Sequence, residues 1–393
     1  MRISVDFHLH SKYSYATSKK MEIPLIAREA ELKGLDVVGT ADVFHPSWTS
    51  HLKKSLERVE EGTYERGGVR FIITVEVEDK RRVHHLILLP SFSKAEELYE
   101  EFKKYSNDID TNGRCHLRLG GDEIVERVKS ADGIMGPAHA FTPWTALYGE
   151  HDSLKDCYGE YADKIDFLEL GLSADSELAD HISELRDLTF LSNSDAHSPW
   201  PHRLGREFNI IELEKKTYTE ILEAIHRKNG RRFVQNVGLN PVLGKYHKTA
   251  CIDCHEIYTL KQAVERKWKC KCGGRIKKGV YDRIMELKDQ EKGPEDRPPY
   301  LRIAPLSEII ALKKRYSLSS KNNLVLYKKF LREFNDEIEI LVNAEYNELK
   351  KIDKKVASYI LSYREEKLEI TPGGGGQYGK LHLAKTELDK WIT

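Results

Sequence analysis

Ile3, Val5 and Phe7 fall at every second position near the start of the chain, which predicts a strand over Arg2–Leu9. Apolar spacing then takes a helical period over Ile23–Leu32, stops at Gly34 and gives way to the short apolar run Leu35–Gly39. The exchange recurs. A helix is expected over Trp48–Glu61, strands over Phe71–Val77 and Val83–Leu89, helices over Lys94–Tyr105 and Gly121–Ser130, and a short strand at Gly133–Met135. Strands at Ile165–Leu170 and Thr189–Leu191 flank a helix at Ser176–Arg186, and a strand at Asn209–Glu212 with a helix at Tyr218–Lys228 closes the series. Strands and helices in alternation predict an α/β fold over residues 1–237, either a parallel sheet or a distorted barrel.

After Val237 the pattern breaks. Residues 238–280 carry Cys251-x2-Cys254, 15 intervening residues, and then Cys270-Lys271-Cys272 followed by two glycines. Two close thiolate pairs at this spacing predict a structural zinc site, for which His255 is a possible substitute ligand. Residues 281–393 read as mainly helical: Tyr281–Gln290, Leu306–Tyr316, Lys321–Phe334, Asp336–Val342 and Lys354–Lys367, with Pro298-Pro299-Tyr300-Leu301 as a rigid extended connector. The glycine run of Pro372–Lys380 is either a phosphate-approaching loop or a flexible linker.

Charge balance removes one class of explanation. Lys+Arg and Asp+Glu both number 63 in 393 residues, so any nucleic-acid surface must be local rather than global. One local candidate is the cysteine module, where Lys261, Arg266, Lys267, Lys269, Lys271, Arg275, Lys277 and Lys278 interleave with Tyr258 and Trp268. That mixture suits a nucleic-acid backbone, although a zinc module serving only as a fold staple would look similar. The 32% charged content, with four Gln and four Met, leans towards a thermophilic source. No apolar run approaches a membrane span and no signal-peptide core opens the chain, so a soluble, cytoplasmic protein is expected. Cys115 and Cys157 stand alone and read as small buried residues.

The chemistry gathers at strand ends. His8 and His10 share one face of the first strand, because residues i and i+2 point the same way. Asp42 and His45 follow the second strand; Glu76 lies in the third; His84 and His85 open the fourth. Pro137 leads to His139, and Leu191 to Asp195 and His197. Parallel α/β enzymes build their sites at the C-terminal ends of strands, so the set reads as a multinuclear metal cluster rather than scattered surface histidines.

The order Asp-x-His-x-His at residue 6, Thr-x-Asp at 40, Val-Glu-Val-Glu at 75, Pro-Ala-His at 137 and Ser-Asp-Ala-His at 194 resembles the PHP (polymerase and histidinol phosphatase) superfamily. The resemblance implies a distorted (β/α)7 barrel with two or three divalent ions (Zn2+, or Mg2+ or Mn2+). His8, His10, Glu76 and Asp195 match the first-ion ligands, and Glu76 bridges to a second ion held by His139 and His85. His197 and His45, with Asp42, fall to a third ion, for which the loop Ser11–Ala16 lacks the customary His or Asp. Glu76, Asp195 and His10 are the residues expected to carry catalysis.

The module order is similar to the archaeal endonuclease Q family: PHP domain, Gly-Lys-Tyr-His, four-cysteine ribbon, Pro-Pro-Tyr-Leu and the glycine run. That similarity implies a DNA repair endonuclease cutting 5′ to deaminated bases (uracil, hypoxanthine, xanthine) or abasic sites, in double-stranded or single-stranded DNA. It also implies docking on a sliding clamp through a C-terminal peptide, of which no clear motif precedes Thr393. An extruded nucleotide needs a pocket; Tyr13, Tyr15, Trp48, Trp144, Ser173, Asn193 and Lys245 are the candidate walls, Asn193 as reader of the lesion carbonyl. A small-molecule phosphoesterase and an inactive DNA-binding scaffold remain the alternatives.

Overall fold

A computed structural model describes residues 1–60 and 62–383. Glu61, at the end of one expected helix, and 384–393, where a clamp-docking peptide would fall, lie outside the described residues. Seven strands follow one another around a closed, distorted barrel: β1 (Arg2–Asp6), β2 (Val37–Gly39), β3 (Val69–Glu78), β4 (His84–Leu89), β5 (Ile134–Pro137), β6 (Phe167–Glu169) and β7 (Thr189–Leu191). β1, β2 and β3 run parallel, β4 lies antiparallel between β3 and β5, and β6 and β7 are parallel. Backbone hydrogen bonds from Asp166 N to Met135 O (3.0 Å) and Ala140 N to Glu169 O (2.8 Å) join β5 to β6. The circuit closes where His10 N donates to Ala196 O at 3.0 Å, just past β1 and β7. Close approach sets some residue identities: a Cβ on Gly136 would fall 2.0 Å from Phe167 O.

Outside the barrel, the strand Phe208–Glu212 pairs with β1, and Arg232–Gly238 pairs with Phe208–Glu212. Tyr300–Arg302 then adds to Arg232–Gly238 in parallel, so the expected connector is an edge strand of this sheet. The expected helix over Trp48–Glu61 divides: Pro46–Ser55 is helical, and Glu57–Glu60 turns back as a strand on Thr63–Arg66. Gly67 and Gly68, at φ 57° and 82°, make the two-residue turn that sends Thr63–Arg66 into β3, a turn with left-handed backbone at both positions. The expected helix at Ser176–Arg186 shortens to Ser176–Ala179 followed by a single turn at Ser183–Leu185. Helices Leu306–Lys314, Lys321–Phe334 and Lys354–Arg364 form the C-terminal region, and the segment expected as a helix at Asp336–Val342 makes a π-type turn, Glu339–Asn343. Among the described residues no helix is long and apolar enough to cross a membrane.

Glu207 stitches the sheet to this second half. Its carboxyl accepts from Leu239 N at 2.9 Å, its other oxygen has no partner among the described residues, and burial pushes its pKa up to about 8. In the unfolded chain the group titrates near 4.3. Between those values the folded state holds a proton that the unfolded state lacks, so stability falls as pH rises through this window. Glu207→Gln is therefore expected to be more stable than the parent, the gap widening by roughly 3 kcal/mol between pH 5.5 and 8.5. Urea unfolding at several pH values reads this, and parallel curves for the two proteins would contradict it.

Candidate metal centre

β1 and β3 place the first ligands. The pleat presents His8 and His10 beyond the end of β1 towards Glu76 of β3, all three buried. Glu76 Oε1 lies 2.8 Å from His84 Nδ1, 2.9 Å from His139 Nε2 and 3.6 Å from His8 Nε2. Its Oε2 lies 3.4 Å from His10 Nε2. Asp195 Oδ1 adds contacts at 3.1 Å to His10 Nε2, 3.5 Å to His197 Nδ1 and 3.9 Å to His8 Nε2. Three overlapping donor sets result: His8–His10–Glu76, Glu76–His84–His139 and His10–Asp195–His197. His139 and Asp195 sit at φ 33° and 47°, strained backbone of the kind concentrated at functional sites.

The fit to cations shows in what these groups lack. His8 Nε2, His10 Nε2 and Asp195 Oδ1 are buried and make no hydrogen bond among the described residues, although they converge on one point. Lone pairs aimed together without donors between them suit divalent ions. Electrostatics agrees. Burial opposes charge on His10, yet Asp195, Asp42 and Glu76 hold its pKa up at about 9, and the imidazoles hold Glu76 well below the usual carboxylate range despite its burial. The pocket's negative charge seeks positive partners.

The outer atoms of the ligands are tied. Glu169, at the end of β6, lies 2.9 and 3.0 Å from His8 Nδ1 and accepts from His139 N at 2.8 Å. Glu78 lies 2.9 Å from His84 Nε2. His10 Nδ1 pairs with Ser14 Oγ at 3.2 Å and has Asp42 Oδ1 at 3.4 Å, while the other Asp42 oxygen accepts from Ser11 N and Ser14 Oγ, both at 2.7 Å. Such partners fix each ring's tautomer and aim.

Several expectations are corrected. His84, not His85, joins Glu76 and His139: Glu78 pairs directly with His84 across the β3–β4 hairpin, which sends the neighbouring His85 to the opposite face. There His85 meets the Tyr158 hydroxyl at 3.0 Å and Asp79 at 3.3 Å. Asp42 and His45 do not form a third donor set with His197; Asp42 braces His10, and the His45 ring stacks on Tyr13 with centroids 4.0 Å apart. Trp48 is no pocket wall: it is fully buried, and its Nε1 donates to Thr40 O and Ala41 O at 3.0 and 3.1 Å. Asn193 is buried, its Oδ1 accepting from Phe7 N at 3.0 Å, while its Nδ2 has no hydrogen-bond partner among the described residues, a spare donor of the kind its expected role as lesion reader needs. Tyr15 is exposed, Ser173 half-buried, and Lys245 exposed with its ammonium 4.9 Å from the Tyr378 ring. Trp144 is 47% exposed, edge-on to Tyr246, with Lys277 Nζ 4.4 Å from its ring. Sequence reasoning missed Glu169 and Arg114; the first carried a signal, a carboxylate at a strand end.

In the cysteine module, sulfur pairs Cys251–Cys272 and Cys254–Cys270 stand 3.6 and 3.4 Å apart, with all four within 4.8 Å of one another. Tetrahedral Zn–S bonds of about 2.3 Å put sulfurs about 3.8 Å apart, so the set is close to that geometry. His255 is turned away, its Nδ1 3.0 Å from Gly375 O. The glycine run packs here: a Cβ on Gly375, at φ 58°, would fall 2.0 Å from Cys251 O. The amides of Gly373, Gly374, Gly376 and Gly379 already donate to carbonyls of this chain, which leaves them unavailable to phosphates.

A barrel whose strand ends deliver a histidine–carboxylate cluster defines a candidate metal centre. The family model described as the MJ0043 C-terminal domain matches residues 305–367. Uncharacterized protein MJ0043 of Methanocaldococcus jannaschii is 46% identical over 285 residues, 68% of this chain, which spans only 36% of that relative's length. Uncharacterized protein YqxK of Bacillus subtilis is 30% identical over 97% of this chain and 99% of its own. The crystal structure of the lesion-specific endonuclease Q of Pyrococcus furiosus superposes with a TM-score of 0.96 at 52% identity, covering 99% of this chain and 97% of that one. An endonuclease Q bound to a 27-mer duplex with an abasic lesion at its active site gives a TM-score of 0.94 at 51% identity, covering 98% of each chain. The chain belongs to the endonuclease Q family.

Proposed function

We propose that this chain is a metal-dependent DNA repair endonuclease that hydrolyses the phosphodiester 5′ to deaminated bases or abasic sites. The observation that carries the reading is the convergence of unpartnered His8 Nε2, His10 Nε2 and Asp195 Oδ1 around Glu76, in a chain this similar to an endonuclease holding an abasic lesion at its active site. Divalent ions bound there supply Lewis acidity for the phosphoryl oxygens and lower the pKa of a water. The chain's own residues supply the rest. His8, His10, His84, His139 and His197 present ring nitrogens to the cluster, with Glu169, Asp42 and Glu78 behind three of the rings. Glu76 belongs to two donor sets and would serve ions held in both, and Asp195 would add negative charge beside His10. The cysteine set takes the structural ion, which its four thiols and spacing make zinc.

For the lesion, the loop that follows His139 presents Trp144, backed by Tyr246 and Lys277, as a face on which an extruded nucleotide stacks while the ammonium meets the backbone. Tyr15, exposed in the loop after His10, and Ser173, in the loop after Glu169, are the further candidate walls, and Lys245 adds positive charge beside Tyr378. DNA is the partner, and the site of action is the nucleoid. Matched duplexes carrying uracil, hypoxanthine, an abasic site or thymine at one position, incubated with Mg2+, Mn2+ or Zn2+, test the reading on a sequencing gel. Cleavage 5′ of each lesion and none at thymine is expected; equal cutting of all four would refute it.

A further inference from the structure

Beside the cluster, Asp42 and His45 are both engaged within the protein. One Asp42 oxygen is taken by Ser11 N and Ser14 Oγ, and His45 lies against Tyr13. Gly113 fills the space beside them: a Cβ on it would fall 2.2 Å from Asp42 Oδ2 and 2.4 Å from Ser14 Oγ, and its amide donates to Tyr13 O at 3.1 Å. The next residue is Arg114. The strand Cys115–His116 runs parallel to β3, Cys115 beside Val77 and His116 beside Glu78. Arg114 therefore comes alongside Glu76 on the same face of the pleat, and its Nη1 lies 3.4 Å from Glu76 Oε2.

That contact leaves the guanidinium unfinished. Its Nε is buried without a hydrogen-bond partner among the described residues, and the side chain is only 23% exposed. A fixed cation beside the carboxylate that the imidazoles share would compete with divalent ions for it, unless an anion arrives to receive the guanidinium. A planar fork of N–H donors matches two oxygens of a phosphodiester. We propose that Arg114 is a phosphate clamp: its guanidinium donates to the non-bridging oxygens of the scissile phosphodiester. In the hydrolysis the water oxygen bonds to phosphorus as one P–O ester bond breaks. The water loses a proton, the leaving oxygen gains one, and Arg114 keeps all of its own.

The proposal rests on reading the cluster as a phosphodiesterase site, so the test runs on two substrates. Wild type, Arg114→Ala and Arg114→Lys are compared on an abasic duplex and on bis(p-nitrophenyl) phosphate, with metal content by mass spectrometry and duplex affinity by anisotropy. For Arg114→Ala, kcat should fall about 100-fold or more on both substrates, with duplex Kd within about threefold and unchanged metal content. Added guanidinium ion should restore part of the Arg114→Ala rate and none of the Arg114→Lys rate. A kcat within about threefold of wild type, or a loss of activity matched by a loss of ions, would overturn the clamp. If wild type cleaves the small diester but shows no preference for the abasic duplex, the lesion reading fails while the clamp is still judged on the diester.

Discussion

Glu76→Gln is expected to leave the barrel folded and to lower cleavage by about 10³-fold or more. The side chain touches four imidazoles, those of His84, His139, His10 and His8, and it belongs to two of the three donor sets. An amide has the same shape, so packing around β3 survives. It lacks the charge, however, and its NH2 would turn donor hydrogens towards ring nitrogens whose lone pairs should face an ion. Two ion positions weaken together, which is why the effect should exceed that of removing any one histidine. The measurements are kcat, ions per chain and thermal midpoint: the first two should fall while the third stays within a few degrees. Retention of all cluster ions together with more than about 1% of the wild-type rate would show that Glu76 is not the bridge.

Much of this site is legible in the sequence because strands have a fixed period. His8 and His10 had to share a face, and Glu76, His139, Asp195 and His197 had to emerge at strand ends, where parallel α/β folds collect function. The choice between His84 and His85 shows where that logic stops. Both open β4, and only the register of the hairpin, Glu78 opposite His84, decides which ring faces Glu76. Register depends on the Asp79–Arg82 turn, whose geometry single-sequence patterns do not set. Trp48 was readable in principle: with Leu52 it makes an i, i+4 apolar pair on the helix Pro46–Ser55, a signature of core rather than of a substrate wall. Arg114 was not readable, since its place beside Glu76 comes from pairing across 38 residues. Likewise the extended backbone of Pro299-Tyr300 was predictable, but its partner Asn236 lies 64 residues away. Local chemistry survives in the sequence, and long-range pairing decides which copy of it is used.

The cysteine module poses a sharper stability question than the barrel does. Its buried apolar cluster is Cys251, Tyr258, Ala263, Cys270 and Ile276, with Trp268 packed against it, so two of its five members are ligands themselves. A core this small cannot offset the conformational entropy of its own chain without a staple. Structural zinc supplies an apparent 10–16 kcal/mol (order of magnitude), and that binding energy is also folding energy. The Tyr258 hydroxyl lies 3.1 Å from Cys270 Sγ and, as the main cause, draws that thiol down to about 6, which favours the thiolate. Cys251→Ser should therefore lose one ion per chain and the hydrogen-exchange protection of the segment from Ala250 to Ile276, while the barrel amides stay protected. The Gly375 loop loses its seat on Cys251 O at the same time, and the Lys277–Trp144 contact loosens with the strand Ile276–Lys277. Duplex affinity should drop by about tenfold or more, since a stacking face and several cations are displaced, while hydrolysis of a small diester continues near the wild-type rate. An unchanged ion count, or loss of barrel protection together with that of the module, would show that the four thiols do not hold an independent metal-dependent unit.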